Sequence, residues 1–229
     1  MLKQIQQDLQ KLANKEKAKI HMSFFKTKKG EYGAGDVFLG ITVPKQRIIA
    51  NKYKDLELIN IQELLNSKIH EHRLMALFIL TYQYKKSKDK KTYAEFYIKN
   101  SKRINNWDLV DTSAEKILGD YLFDKDKSIL YKFAESENLW ERRIAIISTF
   151  YFIKQNKFED TFKIAKTLLN DKHDLIHKAV GWMLREVGKR NQKEEENFLQ
   201  EYYKVMPRTT LRYAIEKFET SKKLYYMKK

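Results

Sequence analysis

The scarcity of helix-breaking residues constrains this chain more than any other feature. Its 229 residues include two prolines and seven glycines, so long stretches lack a residue that would interrupt a helix. Apolar residues recur at spacings of three and four, as at Leu74, Leu77 and Phe78. The alternation that is typical of strands is nearly absent. The sequence therefore predicts an all-α protein.

Alanines on the predicted helices recur at a nearly constant interval. They stand at positions 76, 114, 145, 179 and 214. This interval accommodates two helices and two turns, as in an α-solenoid of HEAT or armadillo type, where each helix pair packs on its neighbours. We therefore expect residues 1–229 to form one repeat domain, a right-handed α-solenoid with a concave basic face. An irregular helical bundle with coincidentally spaced alanines is the alternative.

The periodic segments predict twelve helices, with ends that are uncertain by a few residues. Their expected ranges are 2–14, 44–54, 60–66, 70–85, 90–100, 106–122, 127–135, 138–154, 158–169, 173–189, 194–204 and 208–219.

One segment, at about 26–39, interrupts the helical pattern. It contains Gly30, Gly33 and Gly35, three of the seven glycines. Such density indicates positive φ or close backbone approach, so we expect an inserted loop or short hairpin. Because the segment also carries Lys28 and Lys29, it could probe a nucleic-acid groove. A flexible surface loop is the equally weighted alternative, and the spacing does not fit a phosphate-binding P-loop.

The charge balance points to a polyanionic partner. The chain has 46 Lys and Arg residues against 30 Asp and Glu residues, which gives a net charge of +16. The absence of cysteine excludes disulfides, thiolate metal sites and thiol nucleophiles, and it fits a reducing cytoplasm. The amphipathic N-terminus has no apolar core of a signal peptide, and no segment predicts a membrane span.

A cationic stripe is predicted on the helix around residues 173–190. Lys178, Trp182, Arg185 and Lys189 follow one another at i, i+4, i+7 and i+11. Because a buried face would not carry these charges, we expect the indole to be displayed between the cations. In the alternative interpretation, Trp182 is a partly buried core residue covered by aliphatic stems.

Further basic residues extend this pattern to neighbouring repeats. Arg142 and Arg143 are adjacent, so they must point to different faces and only one of them can reach a shared groove. Arg208 and Arg212 add two basic residues on the last predicted helix. Successive repeats would thus supply cations to one track of phosphates.

Trp107 and Asp111 form the most informative pair for chemistry. They are four residues apart, so a helix would place the indole and the carboxylate on one face. An acid in a groove that binds polyanions is better suited to chemistry than to affinity. Spacing alone favours the alternative, a packed indole beside a surface carboxylate, and only the other motifs together shift the interpretation towards chemistry.

The remaining residue types give little support to other chemistries. The five histidines lack the spacing and the cysteine or carboxylate partners of a zinc site, so we expect solvent-facing or capping histidines and no metal. No serine nucleophile motif is present.

Several segments together resemble a known family. They are Asn106-Trp107-Asp108-Leu109-Val110-Asp111, Trp140-Glu141-Arg142-Arg143, Gly181-Trp182-Met183-Leu184-Arg185-Glu186, the stretch 38–44 and the stretch 208–214. Their joint occurrence in this order resembles the bacterial DNA alkylation-repair family of HEAT-like repeat proteins, the AlkD-like alkylpurine DNA glycosylases. The resemblance covers nearly the whole chain.

The resemblance implies a role for individual residues. Trp107, Asp111 and Trp182 would form the catalytic cluster, and Arg143 and Arg185 would hold the DNA backbone. Phe24 stands where the characterised glycosylases have tyrosine, so the ring is kept and the hydroxyl is lost. The Gly-rich segment resembles an insertion found in relatives that bind branched DNA without evident base excision. The residues expected to contact DNA are Arg143, Arg185, Lys178, Lys189, Arg212, Phe24, Lys28 and Lys29.

Three functions follow as hypotheses. The first is a cofactor-free DNA glycosylase that releases 3-methyladenine or 7-methylguanine type bases from duplex DNA. The second is a non-enzymatic relative that recognises branched or distorted DNA. The third is a helical scaffold for an acidic protein, which the cationic stripe disfavours. We expect a cytoplasmic bacterial monomer without an obligate protein partner.

Overall fold

The computed structural model of the protein describes residues 1–228, and these residues are almost entirely helical. The helices are α1 (Leu2–Lys11), α2 (Lys15–Phe24), α3 (Val43–Lys52), α4 (Leu58–Asn66), α5 (His70–Lys86), α6 (Lys90–Lys99), α7 (Trp107–Ala114), α8 (Asp120–Leu122), α9 (Ser128–Ala134), α10 (Leu139–Lys154), α11 (Glu159–Thr167), α12 (Asp174–Gly188), α13 (Gln192–Tyr202), α14 (Arg208–Ala214) and α15 (Thr220–Met227). A π-helical turn, Glu115–Gly119, separates α7 from α8. No strand occurs in residues 1–228, so the all-α prediction is confirmed.

The chain divides into two compact units. The first is Met1–Ser113, and the second begins at Ala114. In the first unit, α5 packs against α3, α4 and α6. Every residue from His70 to Leu80 is buried, which makes α5 the central helix of this unit. The expected single repeat domain stays a prediction.

The second unit is built by successive long helices. Helix α10 packs against the π-helical turn and α12, and α12 packs against α14. Gly181 permits the last contact, because a Cβ at this position would lie 2.5 Å from the carbonyl oxygen of Thr210. The shorter helices α9, α11 and α13 cover α10 and α12. This succession is the arrangement of a helical repeat.

The alanine interval marks the buried sides of these helices. Ala76, Ala114, Ala145, Ala179 and Ala214 all lie in helices, and all five are fully buried. Their small side chains allow close helix packing, which explains the repeat in the sequence. The handedness of the solenoid and its concave basic face stay predictions.

The Gly-rich segment is a loop of consecutive turns and not a hairpin. Gly30 and Gly35 have φ of +84° and +88°, and a Cβ at Gly33 would lie 2.3 Å from the Phe25 carbonyl oxygen. Val37 forms an isolated parallel bridge with Ile69. The loop is thus tied to the start of α5.

Glu71 fixes the exit from this loop. Its buried carboxylate accepts hydrogen bonds from the backbone N–H groups of Leu39, Gly40 and Ile41, at 2.9, 2.8 and 3.3 Å. Because a buried carboxylate needs several donors, this arrangement compensates for part of its lost hydration. None of the helices in the described residues is both long and apolar enough to cross a bilayer.

Candidate functional site

The predicted catalytic residues are distributed over both units. Trp107 and Asp111 lie on α7 in the first unit, and Trp182 lies on α12 in the second. Their local surroundings define two candidate surfaces.

Trp107 opens α7 and belongs to an aromatic stack. Its backbone N–H donates to Asn106 Oδ1 at 2.8 Å, which helps to start the helix. The half-buried indole lies nearly parallel to Phe25, with ring centroids 5.2 Å apart. Phe24 meets the indole edge-on at 5.9 Å and is 62% exposed. Phe24 and Trp107 thus form an aromatic surface with one accessible ring.

A buried network of charges lies behind this stack. The ring of Phe38 stacks on Phe25 at 5.0 Å and on His70 at 4.5 Å. His70 Nε2 lies 2.8 Å from Asp108 Oδ2, and its Nδ1 lies 3.3 Å from Asp36 Oδ2. This imidazole therefore connects α5 to the start of α7 and to the Gly-rich loop.

The protonation states of this network follow from its charges. Burial alone would lower the pKa of His70, but the charge and hydrogen bond of Asp108 raise this pKa to about 9. Burial alone would raise the pKa of Asp36, but the hydrogen bond with His70 and the charge of Arg73 hold it below its usual value. Arg73 Nη2 lies 2.7 Å from Asp36 Oδ2. His70 is therefore an imidazolium at neutral pH, held between two carboxylates.

Asp111 lies one turn beyond Trp107 on α7, as the spacing predicts, and is half-buried. Its charge acts on Tyr97, whose hydroxyl lies 3.0 Å from Ser113 Oγ. Burial raises the pKa of Tyr97 above its ordinary value, the hydrogen bond with Ser113 opposes this shift, and the negative charge of Asp111 adds to it. The Tyr97 hydroxyl, which feels the charge of Asp111, therefore stays protonated.

Trp182 occupies a half-buried position on α12. Its Nε1 donates to Glu186 Oε1 at 3.1 Å, and its ring lies 5.8 Å from that of Phe150. The sequence predicts a displayed indole, whereas the structure shows a partly buried one. The partly buried alternative describes the position better, because the ring packs on the neighbouring helix α10.

Each cation of the predicted stripe on α12 has a carboxylate partner. Lys178 Nζ lies 2.7 Å from Asp174 Oδ2, and Lys189 Nζ lies 2.7 Å from Glu186 Oε1. Arg185 forms an ion pair through Nη1 with Glu216, whereas its buried Nε has no hydrogen-bond partner within the described residues. The spacing of the cations does not indicate these three acids.

Arg142 and Arg143 both serve internal contacts. Arg142 Nε donates to Asp171 Oδ2 at 2.6 Å. Arg143 is 5% exposed, and its Nη1 donates to the Leu175 carbonyl oxygen at 2.5 Å. The two side chains do take different directions, but each one binds the segment around the start of α12. The open position expected for Arg143 is not observed.

The remaining predicted DNA contacts are accessible. Lys28 and Lys29 are exposed in the Gly-rich loop, and Arg212 is exposed on α14. Arg212 Nε donates to the carbonyl oxygen of Arg208 at 3.4 Å, and Arg208 Nη2 donates to that of Met227 at 2.7 Å. These positions leave all three predicted contacts free to meet solvent or a ligand.

The histidines differ from the prediction in two cases. His70 and His72 are 2% and 6% exposed, so neither is a surface residue. His173 caps α12 by accepting a hydrogen bond from Leu175 N, as expected. The sequence contains one indication of this burial, because residues 70–73 directly precede the apolar run of α5. Within residues 1–228 no group of three or more potential ligands is placed to hold a metal ion.

Known proteins provide independent comparisons. The family model described as DNA alkylation repair enzyme matches residues 5–218. A solved structure from Enterococcus faecalis, described as a predicted DNA alkylation repair enzyme, has a TM-score of 0.70 and 17% identity, covering 91% of this chain and 97% of that one. AlkD2 from Streptococcus mutans has a TM-score of 0.57 and 19% identity, covering 96% and 97%.

A further structure, smu.31 from Streptococcus mutans UA159, has a TM-score of 0.56 and 19% identity, covering 95% of this chain and 98% of that one. No curated protein matches the chain. The structural likeness supports a helical repeat fold, and the family model covers most of the sequence. The chain therefore belongs to the DNA alkylation repair enzyme family.

Proposed function

We propose that this protein is a DNA glycosylase that hydrolyses the N-glycosidic bond of cationic alkylated purines in duplex DNA. The observation that carries the proposal is the pairing of Trp107 with Asp111 on one face of α7. The protein would act without a cofactor, as a monomer in the bacterial cytoplasm, on bases of the 3-methyladenine or 7-methylguanine type.

One carboxylate suffices for this reaction. A purine alkylated at N3 or N7 carries positive charge, so it leaves as a neutral base and needs no general acid. The bond between C1′ and the base breaks as an oxocarbenium ion develops on the sugar. Asp111 would stabilise this cation and orient a water molecule towards C1′. The water forms the new C–O bond and releases its proton to solvent.

The aromatic residues complement the charge of the lesion. Trp107 can offer a π face to the cationic sugar or base, a contribution of roughly 0.5 to 2 kcal/mol where water is excluded. For Trp182, in the second unit, the same role is what the family resemblance implies. The edge-on contact between Phe24 and Trp107 would help to hold the indole in place.

DNA binding would require an exchange of ion pairs on α12. Lys178, Arg185 and Lys189 are matched by carboxylates in the free protein. A phosphate that approaches this face competes with these acids for the same cations. Lys28, Lys29 and Arg212 would add further phosphate contacts.

A second candidate function is structure-specific DNA binding without excision. Phe24 lacks the hydroxyl that the resemblance leads us to expect, and the Gly-rich loop is an anchored element with exposed Lys28 and Lys29. Such a loop could enter the opening of a junction or a nick.

Excision from a defined lesion distinguishes the two candidates. A duplex with a single 7-methylguanine is incubated with excess protein, and abasic sites are scored as strand cleavage after alkaline treatment. We expect cleavage at the lesion and none in the undamaged duplex. Absence of cleavage, together with tighter binding to a four-way junction than to a duplex, would replace the glycosylase by the structure-specific binder.

A further inference from the structure

Four apolar or aromatic side chains of the second unit form a surface that the proposed function does not use. Leu224 and Tyr225 on α15 are 62% and 56% exposed, and Val205, in the turn that follows α13, is 70% exposed. The Tyr225 ring lies 6.1 Å from the half-buried ring of Tyr203, so α15 meets this turn. We call these four residues the Tyr225 surface. Single exposed apolar residues are ordinary, but a group of them indicates an interaction site.

Helix α15 holds the exposed side chains of this surface in place. Tyr226 is 4% exposed, and its ring meets those of Phe218 and Tyr203, with centroids 5.8 and 5.4 Å apart. The helix is therefore anchored through its buried side. Because Leu224 and Tyr225 stand on an anchored helix, they lose little conformational freedom when a partner binds.

The chain segments that carry the Tyr225 surface are basic. Residues 202–213 and 220–228 together contain six basic residues and no acid. Lys204 and Lys228 are exposed, and Lys204 Nζ lies 5.8 Å from the centre of the Tyr203 ring. Cations thus border an apolar centre.

Three acids lie close to these segments, and each is bound within the protein. Glu196 forms an ion pair with Lys222. Glu201 accepts a hydrogen bond from the hydroxyl of the next residue, and Glu219 accepts one from Ser221 Oγ at 2.7 Å. Because the cations remain in excess, the border of the surface complements a negatively charged partner.

We propose that the Tyr225 surface binds an acidic peptide segment of a partner protein, which places leucine or aromatic side chains against Val205, Leu224 and Tyr225. An apolar centre with a polar or charged rim is the usual anatomy of a protein interface, and tyrosine is a frequent anchor there. The lysines of the rim would attract the acids of the peptide and accelerate its association.

Other occupants fit this surface less well. A second copy of the chain in a two-fold dimer would place the surface against itself, so that Lys204 and Lys228 would meet like charges. Single-stranded nucleic acid would stack its bases on Tyr225, but Val205 and Leu224 offer no flat face to a base. The combination of aliphatic side chains with cations therefore favours a peptide.

Fluorescence anisotropy with three labelled peptides of equal length tests the proposal on the full-length protein. The first peptide alternates aspartate and glutamate with leucine and phenylalanine. In the second, serine replaces the leucine and phenylalanine, and in the third, lysine replaces the acids. We expect saturable binding of the first peptide, about tenfold tighter than that of the second, and no binding of the third. No saturable binding of the first peptide, or equal affinity for the first two, would overturn the proposal.

Variants of the exposed residues locate the binding site. Because both side chains are more than half exposed, Leu224→Ser and Tyr225→Ser should melt as the wild type does and bind the first peptide about tenfold more weakly. Ile59→Ser, at a position 65% exposed on α4 of the first unit, is the matched control and should keep the wild-type affinity. Unchanged affinity in Leu224→Ser and Tyr225→Ser, or an equal loss in the control, would remove the Tyr225 surface as the site.

The cationic border is tested by the double variant Lys204→Ser and Lys228→Ser. It should weaken both acidic peptides severalfold at low salt, and this loss should shrink as salt rises. Lys3→Ser combined with Lys45→Ser changes two other exposed lysines and has the same net charge. Equal losses in the two double variants would contradict a local role of the border.

Two further measurements identify the other occupants. A labelled oligothymidylate that binds the wild type and is weakened by Tyr225→Ser, while the first peptide fails to bind, would replace the peptide by single-stranded nucleic acid. A dimer in sedimentation equilibrium that Leu224→Ser abolishes would replace it by a second copy of the chain. None of these readouts involves excision, so a failure here leaves the proposed function untouched.

Discussion

Arg143 and Arg185 differ in what surrounds their guanidinium groups. Arg143 is buried and donates to a main-chain carbonyl of α12. Arg185 is 17% exposed in its side chain and pairs with Glu216. Arg143 therefore stabilises internal packing, whereas Arg185 keeps part of its charged side chain at the surface.

Substitution by alanine should separate these roles. Arg143→Ala leaves the Leu175 carbonyl without its charged donor, so we expect a loss of about 2 to 3 kcal/mol in the free energy of unfolding and an unchanged salt slope of DNA binding. Arg185→Ala should leave stability nearly intact and flatten the log-log salt slope by about 0.9. Urea unfolding and fluorescence anisotropy over a salt series measure both effects. If Arg143→Ala flattens the salt slope and Arg185→Ala lowers the free energy of unfolding, the two roles are assigned the wrong way round.

Glu216 restrains Arg185 in the free protein, so its removal should strengthen DNA binding. In Glu216→Gln the guanidinium loses the carboxylate at its Nη1 and keeps only the longer contact of its Nε with Glu186 at 3.9 Å, so a phosphate displaces less. We expect affinity for duplex DNA to rise severalfold at low salt. Glu219→Gln removes an equal charge three residues further along and serves as the matched control. Equal gains in both variants would indicate only the change in net charge.

At the scale of elements, the contact between α12 and α13 contains a buried acid. Glu195 is 1% exposed, and a Cβ at Gly188 would overlap its carboxyl group. Burial raises the pKa of Glu195 to about 9, and the charge of Glu196 adds to this shift. The carboxyl group is therefore neutral at physiological pH, and its Oε1 has no partner among the described residues.

This acid should make the protein less stable as pH rises. Above its ordinary pKa of 4.5 the unfolded chain loses the proton, while the folded protein keeps it up to about pH 9. In this window the folded state binds more protons, so the free energy of unfolding falls with pH by at most about 1.4 kcal/mol per unit. Glu195→Gln should remove this contribution. Thermal melts of both proteins from pH 5 to pH 9 should diverge, with the variant increasingly more stable.

Glu194→Gln provides the control for the neighbouring position. It should melt as the wild type does throughout the series. Parallel melting curves for the wild type and Glu195→Gln would contradict the assignment of a neutral buried acid.

The Gly-rich loop combines an anchored end with an accessible one. Asp36, at its end, is buried against Arg73 and His70, whereas Lys28 and Lys29 are exposed. Shortening the loop through Asp36 would remove a buried partner of two cations. Its role in binding is therefore better tested at the lysines.

Replacement of both lysines by serine should lower affinity for branched DNA more than for plain duplex, if the loop enters a junction. We expect a loss of severalfold or more on a four-way junction, because two phosphate contacts are removed. Lys85 and Lys86, exposed at the end of α5, give a control double variant with the same change in charge. If affinity falls equally for the junction and the duplex, or falls equally in the Lys85 and Lys86 control, the segment is only a surface loop without a role in junction binding.

The helices that sequence periodicity predicts are those with a continuous buried face. Helix α2 escapes prediction because it contains no buried residue, although Asn14 caps it by accepting from Lys17 N at 2.9 Å. Helix α15 buries only Tyr226. For such helices the apolar pattern carries no signal, and only the cap of α2 indicates where that helix begins.

The candidate site, like the helices, could be predicted from the sequence only in part. The spacing of Trp107 and Asp111 on α7 needs only helix geometry. The aromatic stack and the link from His70 to Asp36 join residues that are far apart in sequence, so neither composition nor periodicity indicates them. The acids opposite Arg185 and Lys189 depend likewise on side-chain directions that the sequence does not specify.

At the scale of the whole molecule, charge and helical architecture point to the same partner. A net charge of +16 favours phosphate binding on any surface, and the family comparison connects this fold with repair of alkylated DNA. The central claim is chemical, however, and it depends on Asp111 as the carboxylate that stabilises the oxocarbenium ion.

Single-turnover release of 7-methylguanine by the wild type and Asp111→Asn tests this claim most directly, with binding of the same lesion duplex as the parallel readout. Asparagine keeps the shape and removes the charge, so release should slow by on the order of 10² or more, while DNA affinity holds or rises because an anion is lost. Equal release rates in the two proteins would contradict the catalytic role of Asp111.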